Sequence, residues 1–306
     1  MNGVNKRGCS LTIFTPTYNR AHTLSRTYQS LCEQNCKDFI WLVIDDGSTD
    51  NTAELVEQWQ KEEQEFEIQY IYKENGGLHT GYNTAIEHID TELSVCIDSD
   101  DWLPDNAVEV IISTWNEKYS DDIAGLIGLD YTSEGKIIGD FLPDGQKIEP
   151  IKLLASKKNC GDKKYVVKTS LYKQVAPMPV YKGEKNFNPH YMILKLSAKY
   201  KFLAVNKPLC IVDYQEDGMS ANIFKQYINS PNSFAELRRI IMLLPNVPFI
   251  YLCKTTIHYI SSNIHAKNKG YIRKSPKKVL TVLLWPLGYV LSWYIKKNCN
   301  KIISVK

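Results

Sequence analysis

Four short apolar runs, each ending in a polar cluster and joined by three helical patterns, fix most of what this 306-residue chain can become. Leu11–Thr15 (LTIFT) stops at Pro16 and enters TYNRA, and Phe39–Ile44 (FIWLVI) enters DDGSTD. Ile68–Tyr72 enters KENGGLHTG, and the run through Leu93, Val95, Cys96 and Ile97 ends in DSDDW. Between these runs, Thr23–Glu33 carries Leu24, Tyr28 and Leu31 on one helical face. A second helix reads through Leu55, Val56 and Trp59, and a third covers Tyr82–Ile89. Continuously apolar strands separated by single helices need cover on both faces. The alternation therefore predicts an α/β fold, a mostly parallel central sheet flanked by helices. In such sheets ligands sit outside the carboxyl ends of the strands, where all four polar clusters fall.

Beyond Asp105 the pattern continues with a helix over Val108–Trp115 and a strand over Ala124–Leu129. Residues 130–183 are rich in turns, with short strands expected around Ile137 and at Tyr165–Val167. Pro189–Lys199 reads as a helix, Phe202–Val205 and Leu209–Tyr214 as strands, and the chain from Phe234 as helical with breaks at Pro245 and Pro248.

Residues two apart on an extended chain point the same way, so Asp98 and Asp100 can converge on one cation. Two hard oxygen ligands leave room for water and phosphate oxygens, which is how Mg²⁺ or Mn²⁺ is commonly held. A solvated acidic turn capping the next helix is the alternative. Gly76 and Gly77 either admit a close backbone approach or make a plain tight turn. Arg20 and Lys73 are either anion contacts or solvated surface cations.

Composition is that of a folded protein, 43% hydrophobic and 23% charged. The formal charge of +3 is unevenly spread: residues 240–306 hold ten Lys and one Arg without an acid, which leaves 3 − 11 = −8 for the rest. A basic tail on an acidic body points to an anionic partner. Val279–Ile295 contains no charge, is flanked by lysine pairs, and is interrupted by Pro286 and Gly288. With Trp285, Tyr289, Trp293 and Tyr294 suited to the headgroup level, it reads as an interfacial or re-entrant helix on an anionic membrane face. The other reading is an ordinary core or oligomer-interface helix. No basic–aromatic nucleic-acid module is recognisable, so no nucleic-acid partner is expected. Eight scattered cysteines without CxxC pairs, and an opening MNGVNKRGCS without an apolar stretch, suggest a reducing, cytoplasmic setting.

The ordered set TPTYNR, IDDGSTDNT, ENGG with Asn83 and Ala85 behind it, and DSDDWL resembles the inverting family-two glycosyltransferases, which have the A-type (GT-A, Rossmann-like) nucleotide-sugar fold. The resemblance implies transfer of a sugar from a nucleotide-sugar, a UDP-sugar in the first instance, to a saccharide or lipid-linked acceptor in surface polysaccharide assembly. It implies residues 1–230 as the transferase domain, with 11–103 for the donor and 104–230 for the acceptor. Residues 231–306 would be a basic helical extension, peripheral on the inner face of the membrane. Asp100 would be the principal ligand of Mn²⁺ or Mg²⁺, with Asp98 reaching the metal or the ribose beside Ser99. Thr15, Pro16, Thr17, Tyr18 and Asp45, or Asp46 in its stead, would hold the nucleoside. Asn75, Gly76 and Gly77 would approach the nucleotide. The Lys expected after the glycines is Leu78, which leaves His79 as the polar contact there.

An inverting transfer needs a general base for the acceptor hydroxyl. Relatives use an acid pair opening a helix, and here those positions are His190 and Tyr191, downstream of a matching Gly-Glu-Lys at 183–185. A histidine has a suitable unperturbed pKa. His190 is thus a candidate base, with Glu184, Asp213 or Asp217 as substitutes, and a catalytically degenerate donor-binding relative as the alternative function. A nucleotidyltransferase would also use paired acids, but TPTYNR lacks the glycine-rich basic loop expected of one.

Overall fold

The computed structural model describes residues 10–62, 65–156, 161–213 and 223–304, with side chains to residue 299; Tyr214, Asp217 and the Gly-x-Ser turn after it lie outside them. The first half alternates as the sequence predicts: β1 (Leu11–Thr17), α1 (Ala21–Cys32), β2 (Phe39–Asp45), α2 (Thr52–Lys61), β3 (Glu67–Tyr72), α3 (Leu78–His88) and β4 (Leu93–Cys96). Then come α4 (Ala107–Lys118), β5 (Ile123–Thr132), β6 (Lys147–Ile148), α5 (Pro150–Leu154), β7 (Lys163–Lys168), α6 (Thr169–Val175), α7 (His190–Ser197) and β8 (Lys201–Val212). The helices α8 (Ile223–Asn229), α9 (Pro231–Leu243), α10 (Phe249–His265), α11 (Tyr271–Lys274), α12 (Lys278–Leu283) and α13 (Trp285–Ser304) complete the chain.

All eight strands join one sheet in the order β3-β2-β1-β4-β7-β5-β8-β6. Pairings are parallel from β3 through β4 and between β5 and β8, whereas β7 runs antiparallel between β4 and β5, and β6 antiparallel on β8. The chain steps from β1 outward to β3 and then returns to the other side of β1. That reversal opens a crevice at the carboxyl ends of β1 and β4, the usual ligand position in such sheets.

Apolar strand residues bury on both faces. Trp41 of β2 is fully buried on one side, where Tyr28 of α1 stacks 4.3 Å from Trp59 of α2 and 6.0 Å from Trp41. Phe14, Leu42 and Ile44 pack beneath Ala85 and Ile89 on the other. Burying each large side chain in this way contributes roughly 2–3 kcal/mol.

The second half departs from the sequence reading in definite ways. Ile137 makes a single bridge to Tyr131 rather than a strand. The two runs around 202–205 and 209–214 are one strand, β8, with register shifts against β5 near Leu129 and Pro208. Pro208 is tolerated because β6 pairs only with Phe202 and Leu203, which leaves the outer edge at Pro208 without a strand among the described residues.

The apolar segment at 279–295 is not one continuous helix. It divides at Leu284 into α12 and α13, and Thr281, Ser292 and Ile295 turn inward. Gly288 permits this, since a Cβ there would lie 2.4 Å from Ile260 of α10. The opposite face leaves Val279, Leu283, Leu287, Val290 and Trp293 more than half exposed. No described helix is long and apolar enough to cross a membrane. Gly288→Val should pry α13 from α10 at a cost of about 1–3 kcal/mol, the usual penalty for overpacking. Thermal unfolding followed by circular dichroism should show a lowered midpoint; an unchanged midpoint would refute the close packing.

Candidate active site

The acids after β4 are held by backbone clamps rather than left as a solvated turn. Asp101 N–H donates to Asp98 C=O at 3.0 Å, and Thr27 Oγ1 donates to Asp101 C=O at 2.7 Å. Arg26 Nη2 donates to Asp100 C=O at 2.7 Å while its guanidinium lies 4.1 Å over the Trp102 ring. Trp102 and Ile211 of β8 exchange two backbone bonds, at 3.1 and 2.7 Å. The loop is thereby fixed between α1 and β8, and its side chains project from a set backbone.

Asp98 is exposed and Asp100 half-buried, and both line a cleft of about 1030 Å³ at the strand ends. Burial, and then the charge of Asp98, raise the Asp100 carboxyl above the usual carboxylate range. Two neighbouring acids at one strand end gain from a cation between them. Among the described residues no group of three or more metal-ligating side chains occurs. The pair therefore suits a hard cation that keeps water or phosphate oxygens as its other ligands.

Asp101 is not a helix-start residue, since α4 begins at Ala107. It turns inward, its carboxylate 3.6 Å from Lys164 of β7, and burial pushes it up to about 7 against the pull of that lysine. Asp130 of β5 lies on the same floor, pushed up to about 6 by burial, with Oδ1 unbonded among the described residues. Burial works against the Lys164 charge, yet Cys210, Asp130, Asp101 and Asp98 around it hold its pKa above the usual lysine value. Sequence reasoning missed Lys164 and Asp130. Their meeting depends on β7 inserting antiparallel between β4 and β5, which no local pattern announces.

The motif residues of the first half divide into two groups. Pro16, Thr17, Tyr18, Arg20, Asp46, Asp98, Ser99 and Asp100 line the cleft, with Tyr18 48% exposed. The others build its wall. Thr15 faces the sheet and accepts a bond from Trp41 Nε1 at 3.1 Å. Asp45 accepts from Ser48 N–H and from the Tyr70 hydroxyl, both at 2.7 Å. Asp46 accepts from Gly76 N–H at 2.9 Å and Gly77 N–H at 2.7 Å, and pairs with Lys73, so it organises the KENGG loop as well as facing the cleft. Lys73 is engaged further by Thr80 Oγ1 at 2.8 Å. Asn75 donates to Asp46 C=O at 2.7 Å and accepts from Lys185.

Gly77 has φ +94°, and a Cβ there would lie 2.0 Å from Lys185 C=O. The close approach that needs this glycine is the protein's own chain. A Cβ on Gly76 would likewise meet Thr80. His79 is fully buried away from the cleft, 6.1 Å from Phe187, with burial lowering its pKa.

The three candidate bases that fall among the described residues also separate. Glu184 is buried off the cleft, accepting Asn232 N–H and Nδ2 at 2.9 and 2.8 Å and Ser233 N–H and Oγ at 2.8 and 2.6 Å. It anchors the positive N-terminal end of α9, and its carboxylate oxygens are occupied. Asp213 lines the cleft but is paired with Arg26 at 2.9 Å. His190 lines the cleft at the start of α7, edge-on to Tyr165 with ring centroids 5.2 Å apart. Its Nε2 has no hydrogen-bond partner among the described residues, and burial pushes its pKa down to about 4.

Residues 12–158, about half of the chain, match the sequence profile of Glycosyl transferase family 2. This part of the protein is a family 2 glycosyltransferase domain. Glycosyltransferase GlyA of Streptococcus pneumoniae is 32% identical over 137 residues, 44% of this chain and 19% of GlyA. The putative teichuronic acid biosynthesis glycosyltransferase TuaG of Bacillus subtilis is 29% identical over 96 residues, 31% of this chain and 38% of TuaG. The matched segments thus span well under half of either relative. TarS (residues 1–349) of S. aureus in complex with UDP superposes with a TM-score of 0.58 at 18% identity, covering 95% of this chain and 88% of that one. A mannosyltransferase from Pyrobaculum calidifontis, in complex with GDP-Man and Mn²⁺, gives 0.53 at 15% identity, covering 93% and 87%. The fold is GT-A.

Glu184→Gln should lower stability by about 1–2 kcal/mol, the value of a charged helix anchor, while donor binding and turnover at permissive temperature persist. Chemical denaturation beside a donor-binding assay checks this. Full stability with abolished turnover would instead make Glu184 the base.

Proposed function

We propose that this protein is a metal-dependent inverting glycosyltransferase that moves a sugar from a nucleotide-sugar, a UDP-sugar in the first instance, to a saccharide or lipid-linked acceptor in surface polysaccharide assembly. The observation that carries the reading is one cleft, at the strand ends of a GT-A sheet, lined by Asp98, Asp100, Tyr18, Arg20 and His190. Tyr18 and Thr17 are suited to the nucleoside, and Arg20 to its phosphates. Asp98 and Asp100 would hold Mn²⁺ or Mg²⁺, which supplies Lewis-acid stabilisation of a departing diphosphate.

His190 would take the proton of the acceptor hydroxyl at Nε2. Since its pKa lies near 4, the ring is neutral throughout the physiological range and able to accept. The same shift makes it a weak base, and the negative charge of a bound donor would raise it toward neutrality, where proton transfer is more effective. A base must be unprotonated to act, so activity is present above its pKa and lost as pH falls through it. The acid limb of kcat/KM, which reports the free enzyme, should therefore lie near pH 4, with the limb of kcat higher. His190→Gln should reduce kcat by about 10²–10⁴-fold and leave donor binding intact.

One observation favours a second reading, a donor-binding partner without catalysis: α7 opens with His190-Tyr191 where relatives carry acids. Incubation with Mn²⁺ and a panel of sugar nucleotides decides. Transfer abolished by His190→Gln removes the second reading, and failure of folded protein to bind any donor removes both.

The exposed apolar face of α12 and α13, with Lys277, Lys278, Lys296 and Lys297 at its ends, supports docking on an anionic membrane surface from the cytoplasmic side. Co-sedimentation should occur with phosphatidylglycerol vesicles but not with phosphatidylcholine vesicles, and should be lost in a Leu283→Ser, Trp293→Ser double variant. Equal partition to both vesicles, or none to either, would reject it.

A further inference from the structure

The wall of the cleft contributed by α8, α9 and α10 carries cations that no carboxylate among the described residues matches. Arg238 of α9 and Lys254 and His258 of α10 all line it. The Arg238 guanidinium lies 5.5 Å from the Tyr227 ring centroid and 5.0 Å from that of Phe234. Its backbone hydrogen bond, to Phe234 C=O of its own helix, is 3.5 Å long, at the edge of what counts as a bond. The acid nearest in sequence, Glu236, is taken by Arg239, with Nε and Nη2 each donating to a carboxylate oxygen at 2.7 Å. Among the described residues no carboxylate pairs with Arg238 or Lys254.

Other cations at or just behind the cleft are paired: Lys164 with Asp101, Lys73 with Asp46 and Arg26 with Asp213. At Arg238 burial lowers the proton affinity, and the groups that work against it are the Tyr227 and Tyr251 side chains rather than a carboxylate. His258 is pushed down to about 4 by burial and then by Arg238 and Lys254, so the cluster already resists further positive charge. A shielded cation without its partner is unfavourable until an anion arrives. A planar guanidinium beside an ammonium and an imidazole suits the tetrahedral oxygens of a phosphate, and flanking tyrosines suit a sugar or an apolar chain.

The donor's diphosphate is answered elsewhere, at Asp98 and Asp100 through their cation and at Arg20. We propose that Arg238, Lys254 and His258 form a second anion subsite in the cleft that binds a phosphate carried by the acceptor. The assignment to an acceptor rests on the glycosyltransferase reading above; the subsite itself does not.

The test is calorimetric titration of the full chain at fixed ionic strength with two probes, glycerol 3-phosphate and geranyl phosphate, each with and without saturating UDP and Mn²⁺. At least one probe should bind, should still bind in the presence of UDP and Mn²⁺, and should bind about tenfold more weakly to Arg238→Gln and to Lys254→Gln. UDP affinity should stay within about twofold in both variants. Lys254 is exposed, so its variant remains informative if Arg238→Gln fails to fold. Tighter binding of geranyl phosphate identifies a lipid-linked source, and equal binding identifies the phosphate alone. The subsite is overturned if neither probe binds, if UDP with Mn²⁺ displaces the probe, or if both variants bind as the parent does. Absence of UDP binding with probe binding retained would defeat the donor reading and leave the subsite standing.

Discussion

The grip of Arg26 and Thr27 on the carbonyls of Asp100 and Asp101 is the contact on which the site depends. Acids at a strand end repel one another and would ordinarily splay into solvent. Here the backbone that carries them is bonded to α1 on one side and, through Trp102, to β8 on the other. Arg26 makes three contacts at once, with the Asp100 carbonyl, the Trp102 ring and the Asp213 carboxylate. A lysine has neither the planar fork nor the stacking face to do all three. Preorganised acids need no rearrangement when charge appears opposite them, which is the condition for electrostatic catalysis.

Matching of charge then distinguishes the two sides of the cleft. On the floor, Lys164 sits among Asp98, Asp101 and Asp130, with its side chain 12% exposed. One cation among three acids leaves negative charge over, and that excess faces the mouth where Asp98 and Asp100 lie. On the wall formed by α9 and α10 the excess is positive. A cleft with opposite signs at its two sides would orient two ligands at once, one carrying a cation-bound diphosphate and the other a separate anion. Field lines are focused between low-dielectric walls, so even partly shielded groups act over the width of the cleft.

The first half of the fold was legible because its signals are local. Continuous apolar runs at β1, β2 and β4, and polar clusters after each strand, gave the sheet, its parallel order and the end at which the cleft opens. The acid pair was legible for the same reason, as was the basic, apolar tail. Residues that look like ligands in a linear motif proved harder to place. Gly77, Lys73, Asp45 and His79 all touch the protein itself, because a motif records everything its local geometry needs, support included. What could not be read depends on distant pairing: the antiparallel insertion of β7, which brings Lys164 to Asp101, and the folding back of α9, which brings Arg238 to the cleft. How the tail packs turned on Gly288, whose missing side chain lets α13 rest on Ile260.

The stretch Glu184-Lys185 shows how the two halves are joined. Glu184 receives the first backbone N–H groups of α9, the helix that carries Arg238. One residue on, the Lys185 carbonyl presses against Gly77 and its ammonium reaches Asn75, both in the loop that Asp46 organises. Adjacent side chains on a short segment thus tie the wall formed by α9 and α10 to the KENGG loop. That gives Gly-Glu-Lys a physical reason to stand where it does: Gly183 takes the turn at φ +81°, Glu184 fastens the helix, and Lys185 fastens the loop. One tripeptide thus contributes directly to the spacing of the two charged walls.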